Sequence, residues 1–303
     1  MSISTQDQPS QAPPESFRRP SQTLTNSAFD VDYSRVARAF ALDRGKGRRR
    51  DNRAAPDGNR RHLVVRDVSI WVGAGEVLAV LGASGCGKST LLRITAGLDQ
   101  ATSGSVRING TPVAGVDARC AFAFQEPRLL PWRTLSSNVA LGLRDGTPRS
   151  EGEDRVATLL DLVGLTPFAN HRPREVSGGM AQRTALARAL ARNPGVLLLD
   201  EPFASLDALT RLRMQDLLLE VHAAAPTTVL LVTHDVDEAL QLADRVVLLG
   251  EEPGVEGATI RQVLTVPGER PRDRGSAELA ELRARLLAGL GIDRHTQNPN
   301  PTH

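Results

Sequence analysis

Four short runs of apolar residues constrain the fold of this chain more than any other feature of its sequence. Each holds four or five residues in a row without the polar alternation of a strand that faces water on one side. Such runs are typical of strands covered on both faces, as in a parallel sheet flanked by helices. The runs are 77–81, 196–199, 229–232 and 246–249. They predict an α/β fold with a buried, mostly parallel sheet.

A glycine-rich segment follows the first of these runs directly. It matches the pattern GxxxxGK[ST] and precedes a helical run, which is the context that this motif requires. Glycines let backbone amides curl around phosphate oxygens, and the following helix turns its positive N-terminus toward them. The segment consists of Gly82, Ala83, Ser84, Gly85, Cys86, Gly87, Lys88, Ser89 and Thr90. The sequence therefore predicts a phosphate-binding loop.

Lysine is rare in this chain, which makes its position informative. Of the 37 basic residues, only Lys46 and Lys88 are lysines, and all others are arginines. A compact ammonium and a flat guanidinium do different chemistry, so a lysine kept in this background indicates a requirement for it. In the motif, Lys88 reaches the β- and γ-phosphates of ATP and the hydroxyl of Ser89 ligates Mg²⁺.

Two carboxylates follow another of the apolar runs. Asp200 and Glu201 come directly after the run 196–199, at the strand end where α/β sheets bind ligands. Beside a phosphate loop, one carboxylate can hold Mg²⁺ and its neighbour can polarise an attacking water. We expect one of Asp200 and Glu201 in the metal site and the other as the catalytic carboxylate.

The composition argues against several other classes of protein. A net charge of +2 gives no reason to expect a nucleic-acid partner. Cys86 and Cys120 lack CxxC spacing, which disfavours a disulfide framework or a structural zinc site. Because no apolar run approaches the roughly 18–20 residues needed to span a bilayer, we expect any work at a membrane to need a partner.

Changes in composition predict the organisation of the chain. Residues 1–30 are rich in Ser, Gln, Pro and Thr, which favours a disordered extension. Residues 31–265 form the domain that carries the motifs. An arginine-rich stretch at about 43–61 interrupts it, as a solvated linker or as a contact with acidic lipid headgroups. Residues 266–303 are predicted to be a C-terminal helix and tail.

The C-terminal helix has a recognisable pattern of its own. Its leucines recur on one helical face at 279, 282, 286, 287 and 290. Ser276 stands where an N-cap belongs, and Gly291 stands where a helix commonly ends. We expect an amphipathic helix over 276–290.

A third anion-binding element precedes the strand that carries the two carboxylates. Ser177, Gly178 and Gly179 open a predicted helix, so that a hydroxyl, backbone amides and the helix dipole face one point. The run SGGMAQR, in this order with the other motifs, resembles the signature of the ABC-type ATPases. The resemblance covers roughly residues 63–290.

This resemblance implies a fold and three further site residues. The fold is a P-loop NTPase core, a mostly parallel sheet flanked by helices, with an antiparallel β subdomain and a small α-helical subdomain at about 126–190. Gln125 falls where the family senses Mg²⁺ and water. Asp207 lies in the loop that communicates across the dimer, and His234 matches the switch histidine that contacts the γ-phosphate.

The resemblance also implies a mechanism. The phosphate loop and the signature are far apart in one such domain, so two copies would sandwich two ATP molecules and complete each other's sites. Glu201 would orient water, while Lys88 and His234 would stabilise charge on the transferring phosphoryl group. Closure on ATP and reopening after hydrolysis would drive a membrane partner.

The loop after Gln125 narrows the resemblance further. The runs QEPRLLPW, NVALGL, DALTR and PRDR are similar to the nitrate/sulfonate/taurine importer ATPases, and among these to the aliphatic-sulfonate branch. In that family the loop receives the permease, so Leu129, Leu130 and Trp132 are docking candidates. Core packing of the helical subdomain is the alternative role for them. Implied partners are a second copy, separate permease subunits and, indirectly, a periplasmic or extracellular binding protein, at the cytoplasmic face of the inner membrane.

Two features of the sequence depart from the family pattern. The family stacks an aromatic residue on adenine, but Asn59 stands at the aligned position. Either His62 or a neighbouring basic residue stacks there, or the arginine-rich stretch is an insertion and Phe40 takes the role, toward which we lean. Val176 and Met180 replace the usual leucine and glutamine of the signature, which removes an amide near the partner's nucleotide.

Alternatives of other kinds remain at this stage. A soluble ABC ATPase acting on nucleic acid or ribosomes usually carries two ATPase domains or a coiled-coil insertion, and this sequence has one motif set and no heptads. A non-hydrolysing subunit would not need Lys88, Asp200, Glu201 and His234 together. Taurine, nitrate, cyanate or bicarbonate and thiamine precursors stay open as cargo, because such an ATPase never touches the cargo.

Overall fold

The computed structural model describes residues 28–41 and 61–291 of the 303-residue chain. These ranges hold ten strands and seven α-helices. The strands are β1 (Val31–Ala41), β2 (Arg61–Val72), β3 (Val77–Leu81), β4 (Ser103–Ile108), β5 (Thr111–Pro112), β6 (Cys120–Ala123), β7 (Val196–Asp200), β8 (Thr228–Val232), β9 (Arg245–Glu252) and β10 (Val255–Thr265). The helices are α1 (Lys88–Thr95), α2 (Leu135–Ala140), α3 (Arg149–Leu162), α4 (Gly178–Ala191), α5 (Ala208–Ala224), α6 (Val236–Leu242) and α7 (Ala277–Gly289).

The described strands form one sheet with a parallel half and an antiparallel half. Their order is β5-β4-β1-β2-β10-β9-β3-β8-β7-β6. The strands β9, β3, β8, β7 and β6 pair in parallel, whereas β2, β1, β4 and β5 pair antiparallel. The strand β10 joins the halves, since it runs antiparallel to β9 and parallel to β2. The predicted α/β core with an antiparallel β subdomain is confirmed.

The central strands feed two hydrophobic cores, one on each face of the sheet. In β3, Val77, Ala79 and Leu81 pack into the core shared with α2 to α7, and the alternate residues Leu78 and Val80 pack into the core shared with α1 and the antiparallel strands. Every residue of β3, β7 and β8 is buried. This is why their sequences are apolar throughout instead of alternating.

Helices α2, α3 and α4 pack on one another and form the predicted helical subdomain. Each contributes side chains to the core below the sheet, among them Leu135, Val139, Leu159, Leu160, Leu186 and Leu190. Within residues 28–41 and 61–291, no helix is both long enough and apolar enough to cross a bilayer.

The described part of the chain includes three residues before the predicted domain boundary. Residues 28–30, assigned above to a disordered extension, have a defined place, so this boundary was wrong by three residues. The amide of Phe29 donates to the carbonyl of Gly195 (3.2 Å), and Thr228 Oγ1 donates to the Phe29 carbonyl (2.6 Å). Gly195 fits because a side chain there would overlap the Phe29 ring. The rest of the predicted extension, the arginine-rich stretch at 42–60 and the tail at 292–303 lie outside the described residues.

The C-terminal helix is α7, and it is part of the main core. Leu279, Leu282 and Leu286 are buried in the same cluster as the central strands, which confirms the predicted apolar face. Gly291 follows the helix with a φ of 78°, which is the left-handed conformation that glycine favours at a helix end. Ser276 is the N-cap residue, but its side chain makes no capping hydrogen bond, so that part of the prediction was wrong.

Candidate nucleotide-binding site

The glycine-rich segment forms the turn between β3 and α1, as its sequence predicts. Gly85 and Gly87 have φ values of 83° and 96°, in a region where other residues are strained. A side chain at Gly87 would overlap Val65 of β2, so the loop lies tight against the antiparallel half of the sheet. At the mouth of the loop Ala83, Ser84 and Gly85 are exposed; below them Gly82, Cys86, Gly87 and Lys88 are buried, and Ser89 and Thr90 are half-buried.

Lys88 occupies the centre of this loop, with 6% of its surface exposed. Its Nζ donates to the carbonyl oxygens of Gly82 (2.8 Å) and Ala83 (2.9 Å). Within the described ranges no salt bridge to a carboxylate holds the ammonium. The loop thus keeps a buried positive charge that an incoming phosphate can neutralise.

Ser89 and Asp200 meet at the end of the parallel sheet. Ser89 Oγ donates to Asp200 Oδ1 at 2.7 Å, across 111 positions of sequence. Asp200 is the last residue of β7 and is 9% exposed, and its pairing with Val232 fixes it beside β8. A hydroxyl and a carboxylate are hard oxygen donors, and Mg²⁺ is usually held by one or two such protein ligands plus phosphate oxygens. The residues present fit a magnesium ion bound together with a nucleotide.

Glu201 and His234 form a second pair at the same edge. Glu201 has a φ of 47°, an unusual value for a residue other than glycine, and its amide donates to the Val232 carbonyl at 2.9 Å. This turn brings Glu201 Oε2 to 3.2 Å from His234 Nδ1. Strained backbone of this kind is concentrated at functional sites, because it aims a side chain that regular structure would turn away.

Gln125 follows β6 by two residues and is exposed. The pairing of Ala123 with Leu199 places the end of β6 level with the end of β7, where Asp200 and Glu201 stand. A residue that the sequence did not single out supports this loop: Gln182 of α4 is 3% exposed and its Nε2 donates to the Phe124 carbonyl at 3.4 Å. Its place in the SGGMAQR run was the signal that could have found it.

The signature residues lie at the start of α4 and bond only within their own helix end. Ser177 is the N-cap and accepts from the amide of Met180 at 3.3 Å. Gly178 is exposed, and a side chain there would meet nothing within 4 Å. Gly179 is buried, and a Cβ there would lie 2.5 Å from Thr210 Cγ2. Among the described residues no hydrogen bond joins this motif to the phosphate loop.

Asp207 caps the neighbouring helix in the same way. Its carboxylate accepts from the amide of Thr210 at 3.0 Å at the start of α5. The hydrogen bonds to Thr210 lower the pKa of Asp207, so the carboxylate is ionised at neutral pH. With Gly179 against Thr210, the signature and the Asp207 cap form one exposed surface, which is hereafter called the signature surface (Ser177–Gly179 and Asp207–Thr210).

Phe40 and His62, the two candidates for stacking on adenine, are direct neighbours. They face each other in the antiparallel pairing of β1 with β2. Phe40 is 40% exposed and carries the Arg38 guanidinium over its ring at 4.3 Å. His62 Nδ1 lies 3.2 Å from Glu256 Oε1.

Comparisons with known proteins agree with this geometry. A model described as "ABC transporter" matches residues 65–204. The aliphatic sulfonates import ATP-binding protein SsuB 1 of Xanthomonas axonopodis pv. citri is 49% identical over 231 residues, which cover 75% of this chain and 90% of that protein. The corresponding protein SsuB 2 of Burkholderia lata is 51% identical over 224 residues, covering 74% and 80%.

A solved structure agrees as well. The dimeric post-hydrolysis state of the ATP-binding cassette MJ0796, bound to ADP and Pi, superposes with a TM-score of 0.64 at 28% identity. It covers 79% of this chain and all of that one. The fold and the phosphate loop define a Mg²⁺-dependent nucleotide-binding domain of the ATPase class. This chain belongs to the ABC transporter family, as one of its ATP-binding import proteins.

Proposed function

We propose that this chain hydrolyses ATP as a homodimer and thereby drives uptake of aliphatic sulfonates through a separate permease. The assignment of the cargo depends on the relatives, whose names specify aliphatic sulfonates. These relatives are about half identical to this chain over most of their length. The observation that carries the dimer is the signature surface: an anion-binding helix start that is exposed, with Gly178 open to solvent.

The residues of the site divide the chemistry between them. The phosphate loop binds the triphosphate through its backbone amides, and Lys88 exchanges its two carbonyl partners for phosphate oxygens. Ser89 and Asp200 would hold Mg²⁺, which neutralises charge on the phosphates. Ser177 and Gly179 of the second copy would close over the same nucleotide from the other side.

The catalytic pair is Glu201 and His234. Glu201 orients the attacking water and accepts its proton, and His234, at 3.2 Å from Glu201, faces the γ-phosphate. Gln125, two residues after the end of β6, would bind Mg²⁺ together with Ser89 and Asp200 and would contact the attacking water. We assign adenine stacking to Phe40, which is 40% exposed and offers a wholly apolar ring, whereas the His62 imidazole is paired with Glu256.

The permease docks on the loop after Gln125, and its main contact is Trp132. This side chain is 67% exposed, so its indole is accessible to a partner. Leu129 instead packs against the core, and Leu130 is held through its backbone by Asn138 (2.8 Å and 3.2 Å), so these two shape the loop. The contact holds the chain at the cytoplasmic face of the membrane.

The docking assignment has a matched control within the chain. The two tryptophans, Trp71 and Trp132, are 58% and 67% exposed. Trp132→Ala should lower copurification of the permease and leave ATP hydrolysis by the isolated chain unchanged, whereas Trp71→Ala should copurify normally. Equal copurification of both variants would move the docking site elsewhere.

The cargo is tested by growth of cells that lack this chain, supplied with single sulfur or nitrogen sources. We expect loss of growth on alkanesulfonates alone, restored by the wild-type chain and not by Glu201→Gln. Normal growth on alkanesulfonates with a defect on taurine, nitrate or a thiamine precursor would mean that the chain drives an importer of that other compound. Absence of any transport defect would overturn the importer role.

A further inference from the structure

The segment 267–276, between β10 and α7, contains the run PRDR and is here called the arginine strap. Its Arg272 is 8% exposed, which is rare for an arginine unless every donor is satisfied. The guanidinium donates to the carbonyls of Leu240 (3.0 Å) and Gln241 (3.2 Å) at the end of α6, and to the carbonyls of Val266 (3.2 Å) and Pro267 (2.9 Å) at the start of the strap. A buried cation therefore sits on the carbonyl end of α6, where the helix dipole favours it.

A second strap arginine holds the same helix end. Arg270 donates to the Leu242 carbonyl at 2.8 Å, and its other nitrogen lies 3.1 Å from Asp244 Oδ1. Three consecutive carbonyls, those of residues 240–242, thus receive arginine donors from the strap. The helix that they end is short and begins two residues after His234. Residues 233–235, which join β8 to α6 and contain His234, are hereafter called the histidine loop. The position of α6 therefore determines where this loop lies.

The third strap arginine reaches the other end of α6 through a relay. Arg274 Nη2 donates to Gln215 Oε1 at 2.9 Å, and Gln215 Nε2 donates to Glu238 Oε1 at 3.4 Å. Gln215 and Glu238 are each 3% exposed. An amide has one oxygen and one nitrogen, so a bond from Arg274 to the oxygen turns the nitrogen toward Glu238.

Glu238 connects the relay to the histidine loop. It lies four residues after His234, and its amide donates to Asp235 Oδ1 at 3.2 Å, while the amide of Asp235 donates to Thr233 Oγ1 at 3.0 Å. Burial raises the pKa of Glu238 to about 7, with help from the charge of Asp235, while bonds from Thr233 and Gln215 and the charge of Arg211 oppose the rise. Of the other elements against α6, α7 offers Arg283, which pairs with Asp237, and β3 is wholly apolar.

We propose that Arg274 is a positioning residue for ATP hydrolysis: by orienting Gln215 it holds Glu238 and the Asp235 cap of α6, and so fixes His234 beside Glu201. Arg272 and Arg270 anchor the far end of the same helix. The C-terminal strap thereby becomes part of the hydrolytic machinery, although none of its residues touches the nucleotide. This inference rests on the role proposed above for His234.

The test compares purified full-length variants in steady-state ATP hydrolysis. Arg274→Met should lower kcat about ten-fold with KM for ATP within about two-fold, because the interaction acts on the transition state and not on nucleotide binding. Arg274→Lys, which keeps a donor, should recover at least about half of the lost rate. Arg285→Met is the matched control: this arginine is exposed on α7 and makes no hydrogen bond or ion pair within the described ranges.

Three outcomes separate the possibilities. If Arg274→Met has a normal kcat while His234→Ala is slow, the positioning role of the strap is wrong and the role of His234 in the catalytic pair stands. A wild-type rate in His234→Ala would overturn the proposed function of His234 itself. A melting temperature of Arg274→Met more than about 5 °C below that of Arg285→Met, with kcat and KM changed together, would reduce the strap to a structural role.

Discussion

The two halves of the proposed ATP site differ in how complete they are within one chain. On the phosphate-loop side, Lys88 and Asp200 are 6% and 9% exposed and are already bonded, the first to carbonyls of its own loop and the second to Ser89. On the signature surface, Ser177 and Asp207 are exposed and bond only to the helix that each begins. The groups of the phosphate-loop half are already buried and bonded, whereas those of the signature surface are exposed and available for contact with another surface.

This difference shows which half a single chain can use alone. Buried, partnered groups are oriented before the ligand arrives, so the phosphate loop can bind MgATP without a second copy. The exposed caps gain nothing from their surroundings until another surface covers them. The contrast therefore predicts that damage to the first half abolishes nucleotide binding, whereas damage to the second half spares binding and prevents closure.

The largest effect is expected for Lys88→Ala. Removal of the buried ammonium leaves the loop without its positive charge, and we expect ATP hydrolysis to fall at least about 100-fold, with weak nucleotide binding. Arg93→Ala, an exposed position on α1, should behave like the wild type. Steady-state hydrolysis and equilibrium ATP titration check both. Unchanged hydrolysis in Lys88→Ala would remove the phosphate loop from the active site.

Glu201→Gln should stop turnover while keeping the binding half intact. The amide cannot accept the proton of the attacking water, so we expect kcat to fall about 100-fold or more with ATP binding retained. Stalled before hydrolysis, this variant should accumulate as a dimer on addition of MgATP. Size-exclusion chromatography with and without MgATP measures this, and a chain that stays monomeric would count against paired sites.

The adjacent glycines of the signature surface sharpen the comparison. A methyl group at Gly179 would lie 2.5 Å from Thr210, so Gly179→Ala should destabilise the free chain by about 1 kcal/mol. A methyl group at Gly178 meets nothing within 4 Å, so Gly178→Ala should unfold like the wild type and yet weaken ATP-dependent dimerisation. Thermal unfolding and chromatography separate the two effects. Equal dimerisation by Gly178→Ala and wild type would contradict the idea that this position faces a second copy.

A pH-dependent effect concerns Glu238, a buried carboxylate of α6 that belongs to neither half of the site. The pKa of Glu238 is raised from its ordinary value of 4.5 to about 7, chiefly by burial. The folded protein therefore holds this proton more tightly than the unfolded chain, and its stability falls as the pH rises between about 4.5 and about 7. The shift corresponds to a loss on the order of 3 kcal/mol, complete above the upper value.

Glu238→Gln removes that dependence because it carries no proton to lose. The stability of this variant relative to the wild type should rise from pH 5 to pH 8 in thermal unfolding experiments. Glu278→Gln, which alters an exposed carboxylate on α7, should show no such trend. A constant difference between Glu238→Gln and wild type across this range would mean that Glu238 is ionised in the fold like an ordinary carboxylate.

Features that depend on local pattern could be read from the sequence. The apolar runs of β3 and β7 predict strands buried on both faces, and the GxxxxGKS spacing predicts the turn that buries Lys88. The bond from Ser89 to Asp200 joins two motifs that had each been assigned to magnesium. In these cases residue type and spacing along the chain are enough to predict the local structure.

Features that depend on contacts between distant backbone atoms could not be predicted. Arg272 bonds only to carbonyl oxygens, which every residue has, so no partner residue marks the contact in the sequence. In the sequence Phe29 belongs to a polar tail, and only the structure shows that its ring packs against Gly195. Ser276 has the right residue type for a cap, yet its hydroxyl makes no capping bond.

The claim that the exposed half completes the site of another copy is tested most directly by mixing two defective variants. Lys88→Ala has a damaged phosphate loop and an intact signature, and Ser177→Arg has the reverse. In a mixed dimer, one site combines both defects and the other combines both intact halves. Bound ATP is measured per dimer in a Glu201→Gln background. Occlusion of one ATP by the mixture, when neither variant alone occludes any, is the predicted result. No occlusion by the mixture would show that each signature serves its own chain and would contradict the account.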